Sequence, residues 1–147
     1  MSPEVERAAP AVLEPRVATI IYFKDFPKPP KQEWINQLYA ELKPDENLRK
    51  RFYFIPPRDI EQAVNKGEIK TAGRDQMLDG LRKILGVSRV LTINIISVSD
   101  GFRLESEFIN LEDGQIKVRK SEKPFDEADI GTELRKTLNS LLSESAN

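Results

Sequence analysis

Residues 84–120 decide the fold: Ile84-Leu85-Gly86-Val87-Ser88-Arg89-Val90-Leu91-Thr92-Ile93-Asn94-Ile95-Ile96-Ser97-Val98, then Ser99-Asp100-Gly101, Phe102 to Leu111, Glu112-Asp113-Gly114, and Gln115 to Lys120. This is a helix end followed by a three-strand antiparallel meander. Leu91, Ile93 and Ile95 alternate with Val90, Thr92, Asn94 and Ile96. Phe102, Leu104, Ser106 and Phe108 alternate with Arg103, Glu105 and Glu107, the period of a half-exposed strand. Ile116 and Val118 alternate with Lys117 and Arg119. Asp100-Gly101 and Asp113-Gly114 are hairpin signals, because both residue types tolerate the turn backbone. After Pro124, the spacing of Ile130, Leu134, Leu138, Leu141 and Leu142 predicts a closing helix.

Upstream, Val17 to Phe23 is a β-branched and aromatic run of strand length. Its nearly continuous apolarity predicts a central strand covered on both faces. Phe26-Pro27-Lys28-Pro29-Pro30 breaks it. Trp34, Ile35, Leu38, Tyr39 and Leu42 then form a helical stripe, stopped by Pro44. Arg51 to Ile55 reads as a second strand, ended by Pro56-Pro57. Asp59 is placed to N-cap a short helix that ends near Gly67. Residues 67–73 read as a polar loop. Arg74 to Leu85 predicts a helix with Met77, Leu78, Leu81, Ile84 and Leu85 on one face, and Gly86 suits its C′ position. The order is β-α-β-α-α-β-β-β-α. It predicts an α+β two-layer sandwich, a mixed sheet with the helices packed on one face. The first two strands, joined through a helix, should be parallel.

Residues 1–16 are rich in Pro, Ala and Glu and read as a flexible arm, about 50 Å long when fully extended. Residues 17–147 read as one domain, large enough to bury its own core.

Composition narrows the chemistry. Basic and acidic residues number 23 and 24, for a net charge of −1, and the two signs are interleaved. No basic field invites nucleic acid or anionic lipid. The chain has no Cys and no His. Disulfides, thiol or imidazole metal ligands and His-based nucleophile pairs are therefore excluded. The sequence shows no Walker spacing, no GxGxxG and no GxSxG. No apolar run is long enough to span a membrane as a helix. The first ten residues lack the apolar core of a signal peptide, which fits either a cytoplasmic protein or a processed form. Asp126, Glu127 and Asp129 suit the first turn of the last helix better than a cation site. No catalytic, cofactor or metal residue is assigned.

Two features suit binding. One is the proline loop, with Phe26, Pro27, Pro29 and Pro30 leading to Trp34, a rigid contact surface unless Trp34 fills the core. The other is a polar face made of Arg103, Glu105 and Glu107, with Arg119 on the next strand.

Four stretches resemble a family of bacterial envelope domains: the strand Arg16 to Phe26 with its polar exit, Pro57-Arg58-Asp59-Ile60-Glu61 opening a helix, Leu85-Gly86-Val87-Ser88-Arg89-Val90-Leu91-Thr92-Ile93-Asn94-Ile95, and the turn Leu111-Glu112-Asp113-Gly114-Gln115-Ile116. The family includes the curli secretion lipoprotein, the lipoprotein activator of penicillin-binding proteins, the Pel-system export lipoprotein and the N-terminal domain of TolB. The resemblance covers roughly residues 16–143. It implies a two-layer α+β fold and a periplasmic location, with an outer-membrane lipid anchor on an N-terminal Cys. It also implies a non-catalytic role in secretion, polymer export or control of cell-wall synthesis. Some members form rings. The chain has no Cys for such an anchor and lacks the insertion of the pore-forming member.

The expected function is a non-catalytic envelope adaptor that docks on a protein partner, with self-association as a second expectation. No nucleic acid is expected. Membrane contact is expected only through an anchor that this chain does not carry. The alternative is a cytoplasmic enzyme or small-ligand-binding domain using carboxylates such as Glu105 and Glu107.

Overall fold

The computed structural model describes residues 14–144; most of the arm predicted over residues 1–16 lies outside them. The strands are β1 (Arg16–Lys24), β2 (Tyr53–Phe54), β3 (Arg89–Val98), β4 (Gly101–Asn110) and β5 (Ile116–Lys120). The helices are α1 (Gln32–Glu41), α2 (Glu46–Arg51), α3 (Pro57–Asn65), α4 (Arg74–Leu85) and α5 (Ile130–Glu144). The sheet order is β2-β1-β3-β4-β5. β1 is parallel to both β2 and β3, and the β3–β4 and β4–β5 pairs are antiparallel. The α+β class and the mixed sheet are as the sequence predicts.

The helices were expected on one face and occupy both. Val17 and Ile21 of β1, Leu91, Ile93 and Ile95 of β3, and Leu104 and Phe108 of β4 pack with Leu38, Leu48, Leu134 and Leu138 from α1, α2 and α5. The alternate residues Ala18, Ile20, Val90 and Ile109 pack with Ala63 of α3 and Leu81 of α4. The cause is β1, which is apolar at successive positions and so needs cover on both sides.

Local chemistry accounts for the remaining differences. The chain before β2 is helical: Asp45 caps α2 by accepting the Leu48 N–H at 2.9 Å, and β2 is only two residues long. Pro57 opens α3, so Asp59 sits in the first turn instead of capping it. Ile69, inside the expected polar loop, is buried, whereas Ile84 of α4 is exposed. Gly86 has φ +67° and closes α4 as predicted. Gly101 has φ +137°, and a Cβ there would collide with the Phe125 carbonyl, which accepts the Phe102 N–H at 2.9 Å.

Because β2 is short, most of the outer edge of β1 has no strand beside it. Tyr39 of α1 fills part of this gap: its hydroxyl accepts the Ile21 N–H at 3.0 Å. Burial raises the Tyr39 pKa above the ordinary 10.0, against a smaller lowering by that bond. The folded state therefore holds the phenolic proton more tightly than the unfolded chain does. The resulting stability is fully present below about pH 10 and is lost as pH rises through the folded pKa. Tyr39→Phe leaves the Ile21 N–H without its acceptor. It is expected to cost about 1–3 kcal/mol in urea denaturation at neutral pH and to flatten the alkaline loss.

Candidate partner-docking surface

Helices α3 and α4 cover only part of the second sheet face. Beyond Ile20 and Val90 the face continues as Tyr22, Asn94, Arg103, Glu105 and Glu107, because side chains of one parity share one side of a strand. Opposite Glu105, Glu107 and Ile109, β5 adds Lys120, Val118 and Ile116. Val118 is 55% exposed and Ile116 49%, values that mark this end of the sheet as uncovered.

Where α4 begins over the sheet, a cleft of about 440 Å³ opens, with Tyr22, Thr92 and Asn94 on the strand side and Gly73, Arg74 and Met77 on the helix side. The Tyr22 hydroxyl donates to Met77 Sδ at 3.2 Å, a weak acceptor. Burial raises the Tyr22 pKa, and the Arg74 guanidinium opposes the rise. Arg74 also pairs with Glu107 at 2.9 Å. Both partners reach solvent, so the pair contributes little to stability but neutralises the cleft mouth. Asn94 donates to the Glu105 carbonyl at 3.4 Å. Arg103 lies at the exposed end and donates to the Glu122 carbonyl at 3.3 Å. Among the described residues, no group of three or more Asp or Glu is arranged to hold a metal ion, and no helix is long and apolar enough to cross a membrane.

The predicted binding residues fall into three places. Arg103, Glu105 and Glu107 share the open face, as their alternation implies. Arg119 does not join them. It pairs opposite Ser106 and therefore lies on the α5 side, donating to Thr137 Oγ1 at 2.9 Å. The hairpin register puts Lys120 and Val118 beside the carboxylates instead. Phe26 and Trp34 belong to an aromatic cluster with Phe23 and Phe102, with ring centroids 5.5–6.0 Å apart, packed against the first-face core. Pro27 and Pro29 are exposed and Pro30 is half-buried. Tyr22, Arg74, Met77, Ile116 and Val118 were not singled out from sequence. Tyr22 and Met77 are 55 residues apart, and only the fold joins them.

Trp34 is thus half-buried among three phenylalanine rings and also faces solvent. Trp34→Ala is expected to lower stability by about 2–3 kcal/mol, below the cost at a fully buried site, with the native circular dichroism spectrum retained at room temperature.

No protein-family profile matches the chain, and no curated protein matches its sequence. Solved structures do match. The C-terminal domain of LpoB from Salmonella enterica aligns with TM-score 0.55 at 12% identity, over 78% of this chain and 86% of that one. The Escherichia coli LpoB C-terminal domain aligns with TM-score 0.53 at 14% identity, over 77% and 84%. The lipoprotein GNA1162 from Neisseria meningitidis aligns with TM-score 0.50 at 13% identity, over 85% and 94%. At the level of fold, the resemblance drawn from the sequence holds: this chain shares its architecture with the LpoB C-terminal domain and with lipoprotein GNA1162.

Proposed function

We propose that this protein is a non-catalytic adaptor of the bacterial cell envelope that docks on a protein partner through the uncovered part of its sheet. The observation that carries the proposal is the open face of β4 and β5, where Ile116 and Val118 stand exposed beside Arg103, Glu105, Glu107 and Lys120. An apolar centre rimmed by charges is the usual composition of a specific contact surface. The shared fold with the LpoB C-terminal domain and with the lipoprotein GNA1162 supports the reading. Partner classes suited to it lie in secretion, polymer export or cell-wall synthesis, with an outer-membrane location. The proline loop at Pro27, Pro29 and Pro30 is a secondary contact, on a different part of the molecule from the charged trio.

The test uses the full-length native gene. Cells are fractionated, and the solubilised envelope is run on a native sizing column. The protein is expected in the envelope fraction, in a complex larger than the monomer. An Ile116→Asp/Val118→Asp variant is expected to keep its circular dichroism spectrum and run as a monomer. A wild-type protein found free in the cytoplasm, or a variant that stays in the complex, would refute the proposal.

A further inference from the structure

We infer that the outer edge of β5 is a strand-addition site for an extended, acidic segment of the protein partner. The inference rests on the adaptor reading and names the element that would recognise the partner.

Among the described residues, β5 is laddered on one side only, to β4. Asn110 N–H donates to the Gln115 carbonyl and Ser121 N–H to the Leu104 carbonyl, each at 2.9 Å, so residues 115 and 121 turn their backbone groups inward. Alternation along an antiparallel strand then directs the N–H and C=O groups of Ile116, Val118 and Lys120 outward. A row of such groups pairs readily with another extended chain.

The side chains specify what that chain must be. Ile116 and Val118 lie on the open face, whereas Lys117 and Arg119 lie toward α5. Among the described residues, Lys117, Lys120 and the nearby Lys123 form no ion pair, and the hydrogen bond of Arg119 goes to the neutral Thr137. An added strand therefore meets Ile116, Val118 and Lys120 on the open face and the cations Lys117 and Arg119 on the side toward α5. A complementary segment alternates apolar residues over Ile116 and Val118 with Asp or Glu opposite Lys117 and Arg119. A second copy of β5 would set cation against cation, which directly opposed strand positions disfavour. Edge lysines thus oppose self-pairing while leaving the edge open to an acidic chain.

The probe is a short, end-blocked peptide alternating glutamate with valine, with the lysine–valine peptide as control. Binding is read by fluorescence anisotropy and by amide hydrogen exchange. The acidic peptide is expected to bind and to slow exchange at Ile116, Val118 and Lys120. Val118→Pro removes one outward N–H and leaves every charge in place, a change an edge strand tolerates; it is expected to weaken binding at least about tenfold. Lys117→Glu/Lys120→Glu should do the same and should let the lysine–valine peptide bind, so the test survives if the proline variant fails to fold. No binding of the acidic peptide, binding unchanged in a folded variant, or protection confined to other strands would overturn the inference. So would concentration-dependent dimers protecting the same amides, which would assign the edge to a second copy. If the peptide fails while Ile116→Asp/Val118→Asp still breaks up the envelope complex, strand addition is wrong and the adaptor reading stands.

Discussion

Strand β3 is the constraint on which the rest depends. It is laddered to β1 from Arg89 to Ile96 and to β4 along its whole length. Leu91, Ile93 and Ile95 are fully buried on one side and Val90 on the other. A strand held at both edges and covered on both faces has little freedom to slip. A one-residue shift would send Thr92 and Asn94 into the apolar layer under α5 and bring Leu91 and Ile93 out. The same register carries on through β4 and β5. It fixes Glu105 and Glu107 on the open face and turns Ser106 inward beneath α5. The Ser106 hydroxyl, buried without a hydrogen-bond partner, is a cost of that arrangement.

The meander was legible in the sequence because two independent signals agree there. Strict alternation gave the faces and Asp-Gly pairs gave the turns. Gly86 was legible for the same kind of reason, since the chain must enter a left-handed conformation to leave α4 and reach β3. The region between α1 and α3 was not. Arg-Phe-Tyr-Phe-Ile has strand composition, yet Phe52 is the C-cap of a six-residue helix and packs in the core. Helix α2 is too short for periodicity to reveal, and its clearest sign was Asp45 directly after Pro44. Both-face burial was visible in the run of β1, which is incompatible with helices on one face only.

The candidate surface was partly legible. The trio Arg103, Glu105 and Glu107 follows from alternation within one strand. The face of Arg119 is not legible from one strand, because placing it needs the pairing of two: Glu105 opposes Lys120, so Arg119 takes the other side. The cleft between Tyr22, Arg74 and Met77 needs three separate segments brought together, and no local pattern encodes that. Phe26 and Trp34 show a further limit. An aromatic in or just after a loop reads alike whether it meets a partner or its own neighbours, and here Phe26 and Trp34 both pack on Phe23 and Phe102.

Coverage of the sheet by helices sets the candidate surface apart. Helices seal the first face and part of the second, and the remainder of the sheet near β5 is left apolar at its centre and charged around it. The most direct measurement is photo-crosslinking in living cells, with the reactive residue placed singly at Ile116, at Val118 and at Ile84, which is exposed on α4. Discrete adducts of one mass at positions 116 and 118, absent at 84, are the result expected of a docking surface at β5. Adducts at Ile84 alone, or equal adducts at all three positions, would contradict it.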